Sequence, residues 1–438
     1  MLQFVSALFA TGYIVSVIIF AFFTLCAFDK PFTRELFANR LRRYLFMVEV
    51  MSSGVTESCL HLILIKLTLI KLVNYFDGFR YSFSKLAYIV DIINMLSLLV
   101  FFYEMLTEKA IADTTIQSID NKRGPIDSIV CTADMKKLIN PVWTPDDIKV
   151  HPNITYATNE EIREALVTTN HDFNQPRKMM LDIYTHKNNT TAGLKPVLIH
   201  IHGGAWMMGS KNIFYPYEKL LVKENDWVIV NIGYRLAPKN AYPTHLKDVK
   251  RAIRWIKQNI VSFGGDPEFI VLAGDSAGAH LAAMASMTAN DPQYQPGFES
   301  VDTSVRGVIS LSGALDMATN AHHAIFFCKK VAQLSKLDSV FLTEHSPAAM
   351  IQVTKDKDKL VPFLLISGER DGLTESKMSK LFKSSYDDAV GPENNDCTLV
   401  LLPGGHHVSY VGWSPRSLYV ARVIQSWCTQ LYIKNYKK

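Results

Sequence analysis

Between Phe269 and Met287 an apolar, β-like run breaks at Gly274-Asp275-Ser276-Ala277-Gly278 and resumes as a helix-forming stretch rich in Ala, Leu and Met. A turn that passes from strand to helix in so few residues admits only glycine on either side of its central residue. The pattern G-x-S-x-G therefore specifies a strand, a tight turn and a helix together, and it displays the Ser276 hydroxyl at the join. The competing reading is a glycine-flanked serine that caps its helix.

From about residue 150 the chain alternates short β-like runs with helical ones, the pattern of a mostly parallel sheet covered by helices. The strand candidates are "MLDIYT", "VLIHIH", "WVIVNIGY", "FIVLAG", "RGVISLS", "PFLLISG" and "CTLVLLP", with helices expected at His245 to Asn259 and Pro415 to Trp427. Loops at the C-terminal ends of parallel strands are where such sheets carry their chemistry.

A serine hydroxyl is a poor nucleophile at neutral pH. It needs a histidine to take its proton, and the histidine needs a carboxylate to fix its tautomer. In this architecture the chain order is Ser, Asp/Glu, His. Asp371 follows the run "PFLLISG", and His406 and His407 follow "CTLVLLP". Glu369 and Asp316 are rival carboxylates. Upstream, "VLIHIHGGAW" ends a strand in His202-Gly203-Gly204-Ala205-Trp206. The N–H groups of Gly203 and Gly204, with that of Ala277, are the expected oxyanion hole, worth roughly 3 kcal/mol per donor in comparable sites. His202 is expected to prop this loop, and His200 to be a core residue. Residues 314–359, including "AHHAIFFCKKVAQL", are expected to form a small cap that excludes water and shapes the substrate pocket. His322 and His323 within it are not expected to be ligands.

Together these stretches resemble the α/β-hydrolase superfamily, in the esterase/lipase branch that shares an HGG-x-W loop with hormone-sensitive-lipase-like esterases and kynurenine formamidases. The resemblance runs from about residue 150 to the end and includes "NIGYRLAPKNAYPTHLKDVKRAIRWIK" and "LPGGHHVSYVGWSPRS". It implies ester hydrolysis through an acyl-enzyme with no cofactor or metal. Ser276 is then the nucleophile, Asp371 the orienting carboxylate and His407, rather than His406, the base. Ala205 stands where the commonest loop has a third glycine, which resembles the formamidase-like variant. The leading expectation is a membrane-anchored carboxylesterase or lipase acting on small-molecule or lipid esters. An amidase or small-ester specialist, such as a formylkynurenine hydrolase or prenylcysteine methylesterase, is the second expectation, and a non-catalytic ligand receptor on the same fold is the third.

The rest of the chain constrains location. Met1 to Phe28 carries no charged side chain and is long enough to cross a hydrocarbon core. A cleaved signal peptide is disfavoured, because the run lacks a positively charged start and exceeds a signal's apolar core. The following "DKPFTRELFANRLRR" has five basic and two acidic residues, the composition of a cytoplasmic flank. Two further apolar stretches follow: "LHLILIKLTLIKLV", interrupted by Lys66 and Lys71, and "LAYIVDIINMLSLLVFFYEML", which contains Asp91 and Glu104. Residues 1–110 are thus expected to anchor the chain with one to three transmembrane helices, 111–149 to be a linker, and 150–438 to be the catalytic domain. The lysines oppose insertion of the middle stretch. Two crossings would place the catalytic domain on the lumenal or extracellular side of the endoplasmic reticulum or plasma membrane, with sequons at Asn153, Asn188 and Asn189 available for glycosylation.

A net charge of +5 over 438 residues, dispersed, calls for no nucleic-acid partner. Cys26, Cys59, Cys131, Cys328, Cys397 and Cys428 show no zinc spacing, and leave disulfides and free thiols equally open.

Overall fold

The computed structural model describes residues 2–28, 44–120, 124–125, 134–187, 193–353, 360–391 and 396–436. The basic flank from Lys30 to Arg43, Cys131, and the sequons at Asn188 and Asn189 lie outside them.

Among the described residues, the chain from Ile148 onward is built on one eight-stranded sheet: β1 Ile148–Thr155, β2 Met180–His186, β3 Lys195–Ile201, β4 Val228–Ile232, β5 Gly265–Asp275, β6 Gly307–Leu311, β7 Phe363–Gly368 and β8 Cys397–Leu402. Their order across the sheet is β1-β2-β4-β3-β5-β6-β7-β8. β2 is antiparallel to both its neighbours, and β4 through β8 run parallel. Central strands such as "VLIHI" and "GVISL" are buried on both faces, which is why they read as unbroken apolar runs. β1 was not expected. It contains Pro152, and its side chains are mostly exposed or half-buried, so its sequence has no apolar run to find.

Helices cover both faces. On one, Thr244–Asn259 and Ala277–Met287 pack with Trp206 and Phe327 around Ile199, Val230 and Leu272. On the other, Pro216–Asn225 and Pro415–Tyr436 pack over Leu198, Ile229, Val271 and Ile366. Among the described residues between β6 and β7, in the region expected as a cap, lie three short α-helices, Ala321–Phe326, Ser339–Glu344 and Pro347–Val353, the first running on into a π-helical turn at Phe327–Val331.

Ahead of the sheet lie α1 Leu2–Ala27, α2 Leu45–Glu57, α3 Cys59–Tyr75, α4 Ser82–Thr107 and α5 Lys109–Ile119. By length and composition, Gln3–Ala27 and Ser82–Ile119 are apolar enough to cross a membrane. α3 completes a bundle with α1 and α4. Its Lys66 is buried in an ion pair with Asp91 of α4, and Tyr13 of α1 donates to the same carboxylate at 3.2 Å. Two of the four charges that interrupt the apolar stretches thus neutralise each other. Outward, the bundle exposes Phe4, Leu8, Ile18, Leu64, Ile65, Leu86, Ile93 and Leu96.

The helix directions are fixed by contacts at the two ends. At one end Ser6 Oγ donates to the Asp77 carbonyl at 2.8 Å, and Phe9 stacks on Phe76 with centroids 4.1 Å apart. At the other, Phe28 packs on Phe101, and His406 Nε2 donates to the Ala27 carbonyl at 3.1 Å. α1 and α4 therefore run toward the sheet, and α3 runs away from it. Both flanks of the basic stretch, Ala27 before it and Glu49 after it, touch the loops that follow β8 and β7, since Glu49 Oε1 accepts from Gly372 N at 2.9 Å. The expected linker is not continuous coil: α5 occupies its start and buries Ala112 and Ile116 against the Pro415–Tyr436 helix. Its apolar residues recur at helical spacing within a polar stretch, which composition alone reads as a loop.

Candidate active site

Ser276 sits between β5 and the Ala277–Met287 helix with φ 54 and ψ −117, a conformation that non-glycine residues rarely adopt. The flanking glycines are required by space. A Cβ at Gly278 would lie 1.9 Å from the Ile201 carbonyl oxygen, so strand β3 and the helix meet too closely for any side chain there. As the first helical residue, Ala277 has an N–H with no intrahelical partner, at the positive end of the helix.

Asp371 and His407 leave the ends of β7 and β8 and meet. His407 Nδ1 donates to Asp371 Oδ2 at 2.9 Å, which leaves Nε2 as the acceptor. The carboxylate also accepts from Leu373 N and Thr374 N, each at 2.8 Å, and from Thr374 Oγ1 at 2.8 Å. Burial raises the Asp371 pKa, but the His407 imidazole and these donors outweigh it and hold the group below the usual carboxylate range. Burial likewise depresses His407, and the Asp371 carboxylate, with smaller contributions from Glu49 and Asp275, reverses that and raises the imidazole above its ordinary value. Among the described residues no hydrogen bond joins Ser276 Oγ to His407; in unliganded enzymes such bonds are often long and tighten with substrate.

The rival side chains are engaged elsewhere. Glu369 faces solvent beside Lys380, and Asp316 caps its own turn by accepting from Ala318 N and Thr319 N. His406 points away from His407, toward Ala27 and Glu49. His323 donates to the Leu373 carbonyl. His202 donates from Nδ1 to the Gly203 carbonyl, and burial lowers its pKa to about 4, so it is a neutral prop of the loop. His200 is buried in β3 against Tyr217 and Glu218.

One expected oxyanion donor needs correction. The Gly203 N–H donates to Asp275 Oδ1 at 3.0 Å and is not free for a substrate oxygen. Asp275 was read only as the variable residue of the elbow. It also accepts from Tyr215 O–H at 3.0 Å and lies 3.3 Å from His200 Nε2, so it ties the His202–Trp206 loop to the serine turn. Its position immediately before Ser276 was the only signal in the sequence. Of the expected donors, Gly204 and Ala277 are left. Beyond the loop, Trp206, Tyr242, His280, Phe327 and Phe341 form an aromatic cluster under the short cap helices. Burial drives His280 down to about 3, so it is a neutral member of this wall. A cleft of about 490 Å³ lined by Cys397, Trp427 and Lys434 opens at the opposite ends of β7 and β8 and contains none of these groups.

Among the described residues no cluster of His, Cys, Asp and Glu could hold a metal ion, and Cys26, Cys59, Cys328, Cys397 and Cys428 are buried free thiols.

A serine at a strained elbow, backed by an Asp–His pair at the C-terminal ends of parallel strands, defines an α/β-hydrolase fold. The comparisons with known proteins agree. A family model described as BD-FAE matches residues 181–386. Esterase LipQ of Mycobacterium tuberculosis is 35% identical over 58% of this chain and 60% of its own length. Isoprenylcysteine alpha-carbonyl methylesterase ICME of Arabidopsis thaliana is 29% identical over 58% of each chain. Esterase B from Lactobacillus Rhamnosis has the same fold, with a TM-score of 0.51 at 17% identity over 74% of this chain and 98% of that one. The chain spans about 60% of the length of the first curated relatives it matches. The chain thus has the α/β-hydrolase fold and is similar in sequence to proteins named as esterases.

Proposed function

We propose that the chain is a membrane-anchored serine hydrolase of carboxylic esters. The observation that carries this reading is the buried 2.9 Å pair of His407 Nδ1 and Asp371, two loops from a serine held at positive φ. Ser276 Oγ attacks the ester carbonyl as its proton passes to His407 Nε2. The N–H groups of Gly204 and Ala277 stabilise the oxyanion. Collapse of the tetrahedral adduct expels the alcohol, which takes the proton from His407, and water then cleaves the acyl-enzyme with the same base. Ser276→Ala, which removes only a hydroxyl, should abolish both hydrolysis and fluorophosphonate labelling of a folded protein. Labelling that survives in this variant sinks the assignment.

A second reading is supported by the anchor together with the likeness to ICME: a methylesterase for the carboxyl-terminal ester of a lipid-modified cysteine. Turnover of prenylcysteine methyl ester, set beside p-nitrophenyl esters of graded length and a formyl amide, separates it from a general esterase and from an amidase.

The helix directions favour a cytosolic catalytic domain over the lumenal one that two crossings would give. With α1, α3 and α4 all crossing, the basic stretch and the hydrolase lie on one side, and basic flanks are retained in the cytoplasm. Asn153, although exposed, should then stay unglycosylated. An endoglycosidase mobility shift, or protection of the domain from cytosolic protease in intact microsomes, would refute this orientation.

A further inference from the structure

Four side chains of the N-terminal region, Glu49, Ser53, Glu104 and Glu108, reach across to the loops that carry Asp371 and His407. Glu104 makes paired hydrogen bonds of 2.9 Å with Arg370, and Glu49 Oε1 accepts from Gly372 N at 2.9 Å, so both neighbours of Asp371 are held from outside the sheet. On the other loop, Glu108 Oε1 accepts from Gly404 N at 2.9 Å and Ser53 Oγ lies 3.4 Å from Val408 N. Glu57 and Glu108 close the seam on Arg416. Of these four side chains, Glu49 makes contacts with both loops. Its second oxygen lies 3.5 Å from His406 Nδ1, and both atoms are buried without another hydrogen-bond partner among the described residues. The contact is also shaped for it, since a Cβ at Gly372 would stand 2.4 Å from Glu49 Oε1.

We infer that Glu49 is a positioning residue of the active site: from α2 it holds the Asp371 and His407 loops at their working separation, so the anchor region completes the catalytic apparatus. This rests on the serine-hydrolase reading above. A buried carboxylate is an unusually strong acceptor for a backbone N–H, and charge-assisted bonds of this kind are about twice as strong as neutral ones. Its charge also bears on the base. His407 faces carboxylates from three elements, Asp371 after β7, Asp275 at the end of β5 and Glu49 on α2. The nearby cations are already paired, Arg370 with Glu104 and Arg416 with Glu57 and Glu108.

The test uses the full chain in nanodiscs, with Glu49→Ala and Glu49→Gln. In the alanine variant kcat should fall about 100-fold with KM little changed, the size expected for a small misplacement of catalytic groups. Amide hydrogen exchange in residues 369–375 and 404–410 should accelerate about tenfold, as loss of one charge-assisted bond implies, while β3 and β5 remain protected. Glu49→Gln keeps an acceptor for Gly372 N, so exchange and kcat should largely recover. With the charge gone, the acid limb of kcat/KM should move to lower pH, a shift that a purely structural contact would not produce. Unchanged kcat and unchanged loop exchange in Glu49→Ala would overturn the inference. Failure of the wild-type protein to label with fluorophosphonate would instead reject the serine-hydrolase reading, and the exchange data would still decide whether Glu49 holds the loops.

Discussion

Asp371 shows what a single residue must do here, because its carboxylate is saturated by Leu373 N, Thr374 N, Thr374 Oγ1 and His407 Nδ1. So fixed, it locks the His407 tautomer and raises its pKa above the ordinary 6.5 or so of histidine. Catalysis by this mechanism needs neutral His407. The acid limb of kcat/KM should therefore lie above the ordinary histidine value, with activity lost as pH falls through it; a limb well below 6.5 would contradict the arrangement. His407→Ala should match the serine knockout. His406→Ala removes a hydrogen bond to Ala27 and the contact through which Glu49 reaches the His407 loop, so it should lower stability by about 1 kcal/mol and lower kcat no further than Glu49→Ala does, far short of the loss in His407→Ala. Both phenotypes can be read from initial rates beside a thermal melt. The choice of His407 over His406 was legible in the sequence only through the resemblance, because the two residues are adjacent and equally apt. What separates them is the side to which each ring turns, and backbone sequence does not encode that. The role of Asp275 was hidden for a related reason: its partners, Gly203 and Tyr215, lie 72 and 60 residues away.

At the scale of elements, the strand-to-helix join was the most legible part of the chain because it is over-determined locally. An apolar run fixes β5, an Ala/Leu/Met run fixes the helix, and the glycines permit the contact between the helix and β3. Gly278→Ala should destabilise the fold by about 3 kcal/mol, since its methyl group would overlap the Ile201 carbonyl and rigid backbone cannot yield. A urea midpoint indistinguishable from wild type would show that the turn can relax. Elements whose partners lie far away were read less well. β1 carries Pro152 and pairs only at the sheet's edge, and α5 is polar except for the stripe it buries.

For the whole molecule, the bundle and the sheet are joined by polar contacts from Glu49, Ser53, Glu57, Glu104 and Glu108, of which the sequence reading noted Glu104 alone, as a charge within an apolar stretch. Lys66 likewise looked like an obstacle to insertion until its partner Asp91 was in place. Removing one member strands the other in an apolar bundle. Lys66→Leu alone should therefore cost about 3 to 5 kcal/mol, and the double change Lys66→Leu/Asp91→Leu much less. Thermal melts of the single and double variants in one detergent check this. Equal losses would mean that the pair does not couple α3 to α4. The contact of His406 with the Ala27 carbonyl has a further consequence. On the membrane-anchored reading proposed above, it puts the end of α1 beside the neighbour of the proposed base, and an ester dissolved in the bilayer would reach Ser276 by lateral diffusion in two dimensions. Turnover of such an ester should then follow its mole fraction in the vesicle and fall when inert phospholipid is added at constant bulk concentration. A rate set by bulk concentration alone would mean that substrate arrives through water.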